Sequence, residues 1–293
     1  MEKIGRLITA MATPFDGKGS VDFSMVEKLV GHLVTTGSDG IVVHGTTGES
    51  PTLTHEEEYE LYKAVKRSAA GKASVIAGTG SNSTETTIKS TKRAEEIGCD
   101  AALLVVPYYN KPSQEGLFKH FKTVADNSGI PLILYNIPGR TGINMAPETI
   151  ARLSQIKNFI GVKDAAGDVN QTSSIRMLCR KDFLIWSGDD SLTLPMMSVG
   201  GYGVISVASH LVGREIRSMI DAFVSGDTSK ARDIHIKLMP IFKVLFITSN
   251  PSPLKYALKT IGLDCGVPRL PLVEPSEKEK EAVSAVMKEL KLI

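Results

Sequence analysis

The sequence predicts a (β/α)8 barrel followed by a helical C-terminal extension. Short apolar segments alternate with amphipathic segments of helical length, and the apolar segments number eight. They are apolar throughout instead of alternating with polar residues, which is typical of strands buried on both faces of a parallel sheet. Eight strand–helix units fill roughly the first 225 of the 293 residues, and this count and length favour a closed barrel over an open doubly wound sheet.

Glycine, proline or polar residues follow most of the predicted strands. The strands cover Leu7 to Ala12, Gly40 to His44, Ser74 to Ala77, Ala101 to Val106, Pro131 to Tyr135, Phe159 to Lys163, Phe183 to Ser187 and Gly203 to Val207. Beyond Ser225 the chain shows helical patterns and no convincing strand. We therefore predict a catalytic barrel over residues 1–224 and a helical domain over residues 225–293.

Two helix boundaries can be predicted from single residues. Thr54 and Glu57 have the spacing of a capping box, in which each side chain binds the other residue's backbone N–H, so a helix should begin there. Gly37 follows the preceding amphipathic stretch and should end it. The closing stretch EPSEKEKEAVSAVMKEL predicts a helix with a charged, solvated face.

Composition favours an ordinary globular protein of a reducing compartment. The net charge is +2 with acids and bases interspersed, which gives no case for nucleic acid or a membrane as partner. No apolar run approaches the ~20 residues that span a bilayer, and the N-terminus lacks the features of a secretory signal. Cys99, Cys179 and Cys265 form no CxxC pair, so neither disulfides nor a cysteine zinc site are predicted. We expect a cytoplasmic protein.

Unusual residues follow the predicted strands, at the end of a barrel where catalytic groups lie. Seven strand ends carry them, namely GTTGE at 45–49, GTGSN at 78–82, PYYN at 107–110, YNIPGRTG at 135–142, Lys163, SGDD at 187–190 and GVIS at 203–206. One such ending would mean little. Seven around one rim favour a functional site over the requirements of folding.

Lys163 is the candidate nucleophile. It directly follows the apolar residues of a predicted strand, and desolvation in the barrel mouth would lower the pKa of its ammonium group. Only the free amine attacks a ketone, so burial suits Schiff-base chemistry with a 2-oxo acid. The alternative is a lysine that pairs with Asp164 or Asp168 or reaches solvent. The strand alone favours that alternative, whereas the whole rim favours the nucleophile.

Hydroxyl groups near this lysine are candidates for moving protons. Thr46, Tyr109 and Tyr135 can both donate and accept hydrogen bonds, as imine formation requires. The alternative is that the threonines bind turn backbone and the tyrosines pack in the interior. For Tyr108 interior packing is favoured, because adjacent residues of an extended segment face opposite ways.

Two features are candidates for binding carboxylates. Arg140 lies in a glycine-rich loop, and a guanidinium there suits a bidentate contact, although a solvated turn arginine fits the local sequence equally well. The GTTG segment around Thr47 offers hydroxyls and backbone N–H groups, as anion-binding nests do. It lacks the spacing of a P-loop.

Metal chemistry is the competing mechanism for a barrel aldolase. The six histidines form no HxH or HExxH pair, and His44, the one at a strand end, is better explained by packing. Asp189 and Asp190 suit Mg²⁺ or, equally, a helix cap. No motif requires a cofactor or a metal.

The strand-end motifs, taken in order, resemble those of the dihydrodipicolinate synthase family, also called the 4-hydroxy-tetrahydrodipicolinate synthase family, within the N-acetylneuraminate lyase superfamily. They are GTTGES, GTGSN, PYYNKPSQEG, YNIPGRTG, GVKD, SGDD and GVISV. The resemblance covers essentially the whole chain, including NPSPLKYALKTIGL in the helical extension.

The resemblance implies a lyase that joins pyruvate to L-aspartate-4-semialdehyde, in the diaminopimelate route to lysine, without a cofactor. Lys163 would form the Schiff base with pyruvate, and its enamine would attack the aldehyde before the adduct cyclises. The other implied site residues are Thr46, Tyr109 and Tyr135 as the proton relay, Thr47 for the pyruvate carboxylate, Arg140 for the semialdehyde carboxylate, and Gly188 and Ile205 as backbone positions lining the site. Tyr109 would reach a neighbouring subunit's site in a homotetramer built from two tight dimers.

Alternatives to this activity stay open. The related sialic acid lyases share the lysine but lack the arginine at the position of Arg140, which favours the synthase. Another Schiff-base aldolase or lyase of 2-oxo acids is the second hypothesis. A barrel that only binds an oxo acid is the third, although such a protein should have lost the nucleophile or relay.

The chain departs from the family pattern at two places. Asp164-Ala165-Ala166 replaces the usual Glu-Ala-Thr/Ser after the lysine. Family members inhibited by lysine have a pocket whose matching positions here are Ser50, Pro51, His55, Asn82 and Tyr108. Glu58 and Thr86 stand where lysine-sensitive members often carry histidine and glutamate. We therefore expect weak or absent inhibition by lysine.

Overall fold

A computed structural model describes residues 4–293 and contains a closed barrel of eight parallel strands in chain order. The strands are β1 Leu7–Ala10, β2 Gly40–Val43, β3 Ser74–Gly78, β4 Ala101–Val105, β5 Leu132–Asn136, β6 Phe159–Asp164, β7 Leu184–Ser187 and β8 Gly203–Ser206. All eight predicted strands are confirmed, and their ends differ from the prediction by no more than two residues.

Helices separate the strands, and three more follow the helix after β8. They are α1 Phe23–Thr35, α2 His55–Ala69, α3 Thr84–Ile97, α4 Gln114–Asp126, α5 Pro138–Thr141, α6 Pro147–Ser154, α7 Val169–Leu178, α8 Thr193–Ser198, α9 Ser209–Val224, α10 Thr228–Val244, α11 Ser252–Thr260 and α12 Glu277–Glu289. The predicted (β/α)8 barrel with a helical extension is confirmed. The domain boundary at residue 224 stays a prediction.

The chain divides into two compact units. The first contains residues 4–6 and Ser74–Ile205, and its core joins β4, β5 and β6 to α4, α6 and α7. The rings of Phe121 and Phe159 meet edge to face in this core, with centroids 6.4 Å apart. The second unit contains Leu7–Ala73 and Ser206–Ile293, in which α10 packs against α9 and α12.

Side-chain caps begin many of the helices. The predicted capping box is confirmed: Thr54 Oγ1 accepts the N–H of Glu57 at 3.2 Å, and the Glu57 carboxylate accepts the N–H of Thr54 at 3.0 Å. A second capping box begins α12 at Ser276. Gly37 adopts φ +107° two residues after α1 ends, which confirms its role as a helix stop.

Strand register places the candidate residues in pairs. Tyr135 of β5 is the register partner of Lys163 of β6, and Asn136 is the partner of Asp164. Because successive side chains of a strand point to opposite faces, each pair shares one face and the two pairs lie on opposite faces. A single register therefore arranges both the lysine–tyrosine pair and the polar pair behind it.

Candidate active site

Lys163 is buried beside an aromatic ring at the end of β6. Its side chain is 6% exposed, and Nζ lies 4.2 Å from the centroid of the Tyr135 ring, which is also buried. The predicted burial is therefore confirmed, and the alternative of a lysine reaching solvent is wrong. Close to the lysine, a Cβ on Gly188 would lie 3.1 Å from Lys163 Cε, so glycine leaves the room that this side chain occupies.

Asp164 does not serve as the partner of Lys163. Its Oδ1 accepts hydrogen bonds from Asn136 Nδ2 at 2.9 Å and from Gln171 Nε2 at 3.1 Å, on the other face of the strand. Burial raises the pKa of the Asp164 carboxyl, against the opposing effect of these hydrogen bonds. The amine and the neighbouring acid thus lie in separate environments.

Arg140 lies on a short, tightly bonded turn after β5. Within α5, the buried Thr141 Oγ1 lies 3.1 Å from Ile137 O and 2.9 Å from Ile143 O, and its single proton can be donated to either carbonyl. Gly142 closes the turn at φ +79°. The turn holds the backbone firmly while Arg140 stays exposed, so the guanidinium is free to meet a ligand.

The loop after β2 is anchored in the second unit. The buried Thr47 accepts a hydrogen bond at Oγ1 from Asn250 Nδ2 at 2.9 Å. Thr46 is half-buried, and its carbonyl accepts the N–H of Glu49 at 3.1 Å. Glu49 is buried, has φ +57° and pairs with Lys255 Nζ at 2.6 Å. Neither Asn250 nor Lys255 was among the predicted residues.

The side chain of Tyr109 is 90% exposed, whereas that of Lys163 is buried. Tyr108 is 40% exposed, so the expectation that it packs in the interior is wrong. The segment is a turn and not extended: Tyr109 has φ +71°, and the N–H of Asn110 binds Tyr108 O at 2.9 Å. Strand alternation therefore does not apply to these two tyrosines.

The remaining strand ends have structural partners. Gly188 N–H binds Asp164 O at 2.8 Å, and Ile205 is buried in β8. Asp189 accepts from both the N–H and the hydroxyl of Ser191, at 2.8 and 2.7 Å, as a helix cap does. Within residues 4–293, no three histidine, cysteine or acidic residues are grouped so as to hold a metal ion.

The residues matching the lysine pocket fall into two groups. In the second unit, the buried Glu58 carboxylate accepts from Tyr62 Oη at 2.7 Å, lies 3.0 Å from His55 Nδ1 and lies 3.6 Å from His44 Nδ1. Ser50 and Pro51 form a short 3-10 turn in the same unit.

The other group lies in the first unit. Asn82 Nδ2 donates to Tyr108 O at 3.2 Å, and Thr86 lies in the first turn of α3. Glu58 is already engaged by neighbours in its own chain, and Thr86 supplies a hydroxyl and no charge.

The fold and these strand ends define a (β/α)8-barrel protein with a buried lysine at the end of its sixth strand. The chain belongs to the dihydrodipicolinate synthetase family, whose model matches residues 3–290. The resemblance noted in the sequence is thereby confirmed. Among residues 4–293, no helix is long and apolar enough to cross a membrane.

Relatives match over the full length of the chain. The 4-hydroxy-tetrahydrodipicolinate synthase of Desulforamulus reducens is 55% identical over 290 residues, covering 99% of this chain and 98% of that protein. The same-named protein of Thermosynechococcus vestitus is 55% identical, covering 100% and 99%. The crystal structure of the Cyanidioschyzon merolae enzyme with lysine bound superposes with a TM-score of 0.98 at 47% identity and covers 100% of both chains.

Proposed function

We propose that this chain is a lyase that condenses pyruvate with L-aspartate-4-semialdehyde to form 4-hydroxy-tetrahydrodipicolinate, in the diaminopimelate route to lysine. The observation that carries the proposal is the buried amine of Lys163 against the Tyr135 ring. Full-length relatives at 52–55% identity that bear the synthase name support the choice of substrates.

Lys163 supplies the covalent step. Its unprotonated Nζ attacks the C2 carbonyl of pyruvate, and loss of water from the carbinolamine leaves an imine. Removal of a C3 proton gives the enamine, whose carbon attacks the aldehyde of the second substrate. The amino group of that substrate then attacks the imine carbon, closes the ring and releases the lysine, so one water leaves per turnover.

Three hydroxyl groups pass the protons. Tyr135 lies beside the nucleophile, and Thr46 and Tyr109 complete the relay. Tyr109 is almost fully exposed in its own chain, which fits a side chain that serves the site of a neighbouring subunit. The proposed assembly is a homotetramer made of two tight dimers.

Four further residues bind substrate in this scheme. Thr47 holds the pyruvate carboxylate, and Arg140 receives the carboxylate of the semialdehyde on a firm turn. Gly188 and Ile205 line the site. The catalytic barrel ends at residue 224, and the helical domain follows. The three free, buried cysteines fit a reducing, cytoplasmic location.

Inhibition by lysine is weak or absent in this proposal. The Glu58 carboxylate is occupied by Tyr62 and His55, and Thr86 offers no charge to a ligand's ammonium group. The initial rate measured against increasing lysine should stay nearly flat. A steep fall at sub-millimolar lysine would overturn this expectation.

Reduction with borohydride in the presence of pyruvate tests the proposed function. Intact mass and peptide mapping should find one pyruvyl-derived group per chain on Lys163, and Lys163→Ala should take up none. The unreduced enzyme should convert the semialdehyde to the cyclic product. Trapping without that product would indicate another Schiff-base aldolase, and no adduct on folded protein would refute the lysine mechanism.

A further inference from the structure

Four polar side chains form a connected network behind the lysine–tyrosine pair, within the first unit. Asn136 Nδ2 donates to Asn144 Oδ1 at 2.7 Å as well as to Asp164. Asn144 Nδ2 donates to Gln171 Oε1 at 2.7 Å. Gln171 Nε2 donates to Asn144 Oδ1 at 3.3 Å and to Asp164 Oδ1 at 3.1 Å.

The network is rooted on the residues that follow the proposed catalytic pair. Asn136 comes directly after Tyr135, and Asp164 comes directly after Lys163, at the same register. Both roots are buried, so their positions are fixed by the strands. Movement of either root would move the adjacent catalytic residue.

The same network closes the loop that carries Arg140. Asn136 stands before this loop and Asn144 stands after it, and their side chains meet directly. Asn136 Oδ1 also accepts the N–H of Met145 at 3.0 Å. From α4, Gln114 donates to Asn144 O at 2.9 Å and accepts the N–H of Ala146 at 3.0 Å. The loop is therefore tied at its base to the strand ends.

Asp164 gives the network its direction. Asp164 Oδ1 accepts two hydrogen bonds, so the amides of Asn136 and Gln171 turn their NH2 groups towards it. The carbonyl oxygen of Asn136 is then left for Met145 N–H, and that of Gln171 is left for Asn144. The orientations of all three amides therefore follow from the acceptor oxygen of one buried carboxyl group.

We propose that Asn136, Asn144, Asp164 and Gln171 are positioning residues that hold the Arg140 loop at a fixed place relative to Lys163 and Tyr135. The proposal rests on the proposed function, in which Arg140 binds the carboxylate of the semialdehyde. Loosening the network should therefore weaken binding of the semialdehyde far more than binding of pyruvate. In the proposed mechanism pyruvate binds first and makes no contact with Arg140.

Kinetics of Asn144→Ala and Gln171→Ala test the proposal. Asn144 is exposed and Gln171 is buried in the first turn of α7, so the free energy of unfolding of both variants is measured alongside the kinetics. KM for the semialdehyde should rise about tenfold, while KM for pyruvate and the rate of borohydride trapping with pyruvate stay within about twofold of the parent. Asn170→Ala, at an exposed neighbouring position of α7, is the matched control and should match the parent.

Substitutions at Asp164 separate positioning from simple packing. Asp164→Asn keeps the size and one acceptor oxygen, so it should retain more affinity for the semialdehyde than Asp164→Ala does. An unchanged semialdehyde KM in Asn144→Ala and Gln171→Ala would overturn the proposal. Equal losses for both substrates, in step with lost stability, would also overturn it. A parent enzyme that traps pyruvate but makes no product from the semialdehyde would instead refute the proposed function, and this inference with it.

Discussion

The absence of a side chain at Gly188 leaves the space that the Lys163 side chain occupies. A Cβ on Gly188 would lie 2.7 Å from Ala165 Cβ and 3.1 Å from Lys163 Cε. The Ala165 contact is closer than carbon atoms tolerate, and the lysine side chain cannot retreat far because it is buried against Tyr135. Glycine at this position therefore determines where the amine points.

We expect Gly188→Ala to displace the Lys163 side chain and lower kcat/KM about tenfold or more, because small displacements of a reacting group are costly. Steady-state kinetics and the rate of borohydride trapping with pyruvate should fall together. Gly31→Ala is the control, since a Cβ there meets nothing within 4 Å and the position lies in α1. Full trapping by Gly188→Ala would show that the lysine does not depend on this space.

A second single-residue prediction concerns pH. Burial lowers the pKa of His120 from 6.5 to about 4. Its Nδ1 lies 2.9 Å from Thr84 Oγ1, while Nε2 is buried without a hydrogen-bond partner among the described residues. The unfolded chain therefore binds a proton near pH 6.5 that the folded chain refuses until about pH 4. The contribution of neutral His120 to the free energy of unfolding is complete above its unfolded-state pKa of 6.5. It is lost as the pH falls towards its folded-state pKa of about 4.

His120→Asn keeps an acceptor near Thr84 and does not titrate. On lowering the pH from about 7.5 to about 5, the parent should lose about 2 kcal/mol more free energy of unfolding than the variant. Denaturant titrations at both pH values measure the difference. Parallel losses in the two proteins would mean that His120 is not the group responsible.

Among secondary-structure elements, the strands were the most predictable, because continuous apolar segments record burial on both faces. Lys163 could be identified since it ends such a segment. The turn at Tyr108 and Tyr109 could not be, because positive φ at a tyrosine has no signal in the sequence. From the sequence, Asp189 suited a helix cap and metal binding equally well. The hydrogen bond from the Ser191 N–H to its carboxylate shows that it caps the following turn.

The capping box of α2 carries the prediction at this scale. Thr54→Ala removes the acceptor for the Glu57 N–H, so the first turn of the helix loses a partner. We expect a loss of about 1 kcal/mol in the free energy of unfolding. Thr123→Ala, inside α4, is the control, because its hydroxyl binds the Lys119 carbonyl within the helix and caps nothing. Equal losses in both variants would contradict a specific role for the cap.

Over the whole molecule, the contacts that the sequence could not reveal join residues far apart in the chain. Thr47 and Asn250 are 203 positions apart, yet their side chains are bonded. Glu49 is bonded to the N–H of Arg269 at 2.8 Å and paired with Lys255. Local patterns predict which segments are strands or helices, but one sequence holds no signal for such pairings. The GTTG loop was therefore predicted, and its anchor in the helical extension was not.

Loss of the Glu49–Lys255 pair should affect both the stability of the fold and the proposed pyruvate site. Both side chains are almost fully buried, and desolvation lowers the pKa of Lys255 while Glu49 opposes that shift. Removing one partner leaves the other as an uncompensated buried charge. Because Glu49 belongs to the loop that holds Thr46 and Thr47, lost anchoring should also disturb the proposed pyruvate site.

We expect Lys255→Met and Glu49→Gln each to lower the free energy of unfolding by about 3 kcal/mol. The double variant should lose clearly less than the sum, with a coupling above about 1 kcal/mol. The exposed pair Lys122 and Asp126, also in close contact, is the control and should show a much smaller coupling. Denaturant titration of all the variants, with pyruvate KM measured alongside, decides the matter. Additive losses at Glu49 and Lys255 would mean that each residue stabilises the fold independently and that no paired anchor holds the loop.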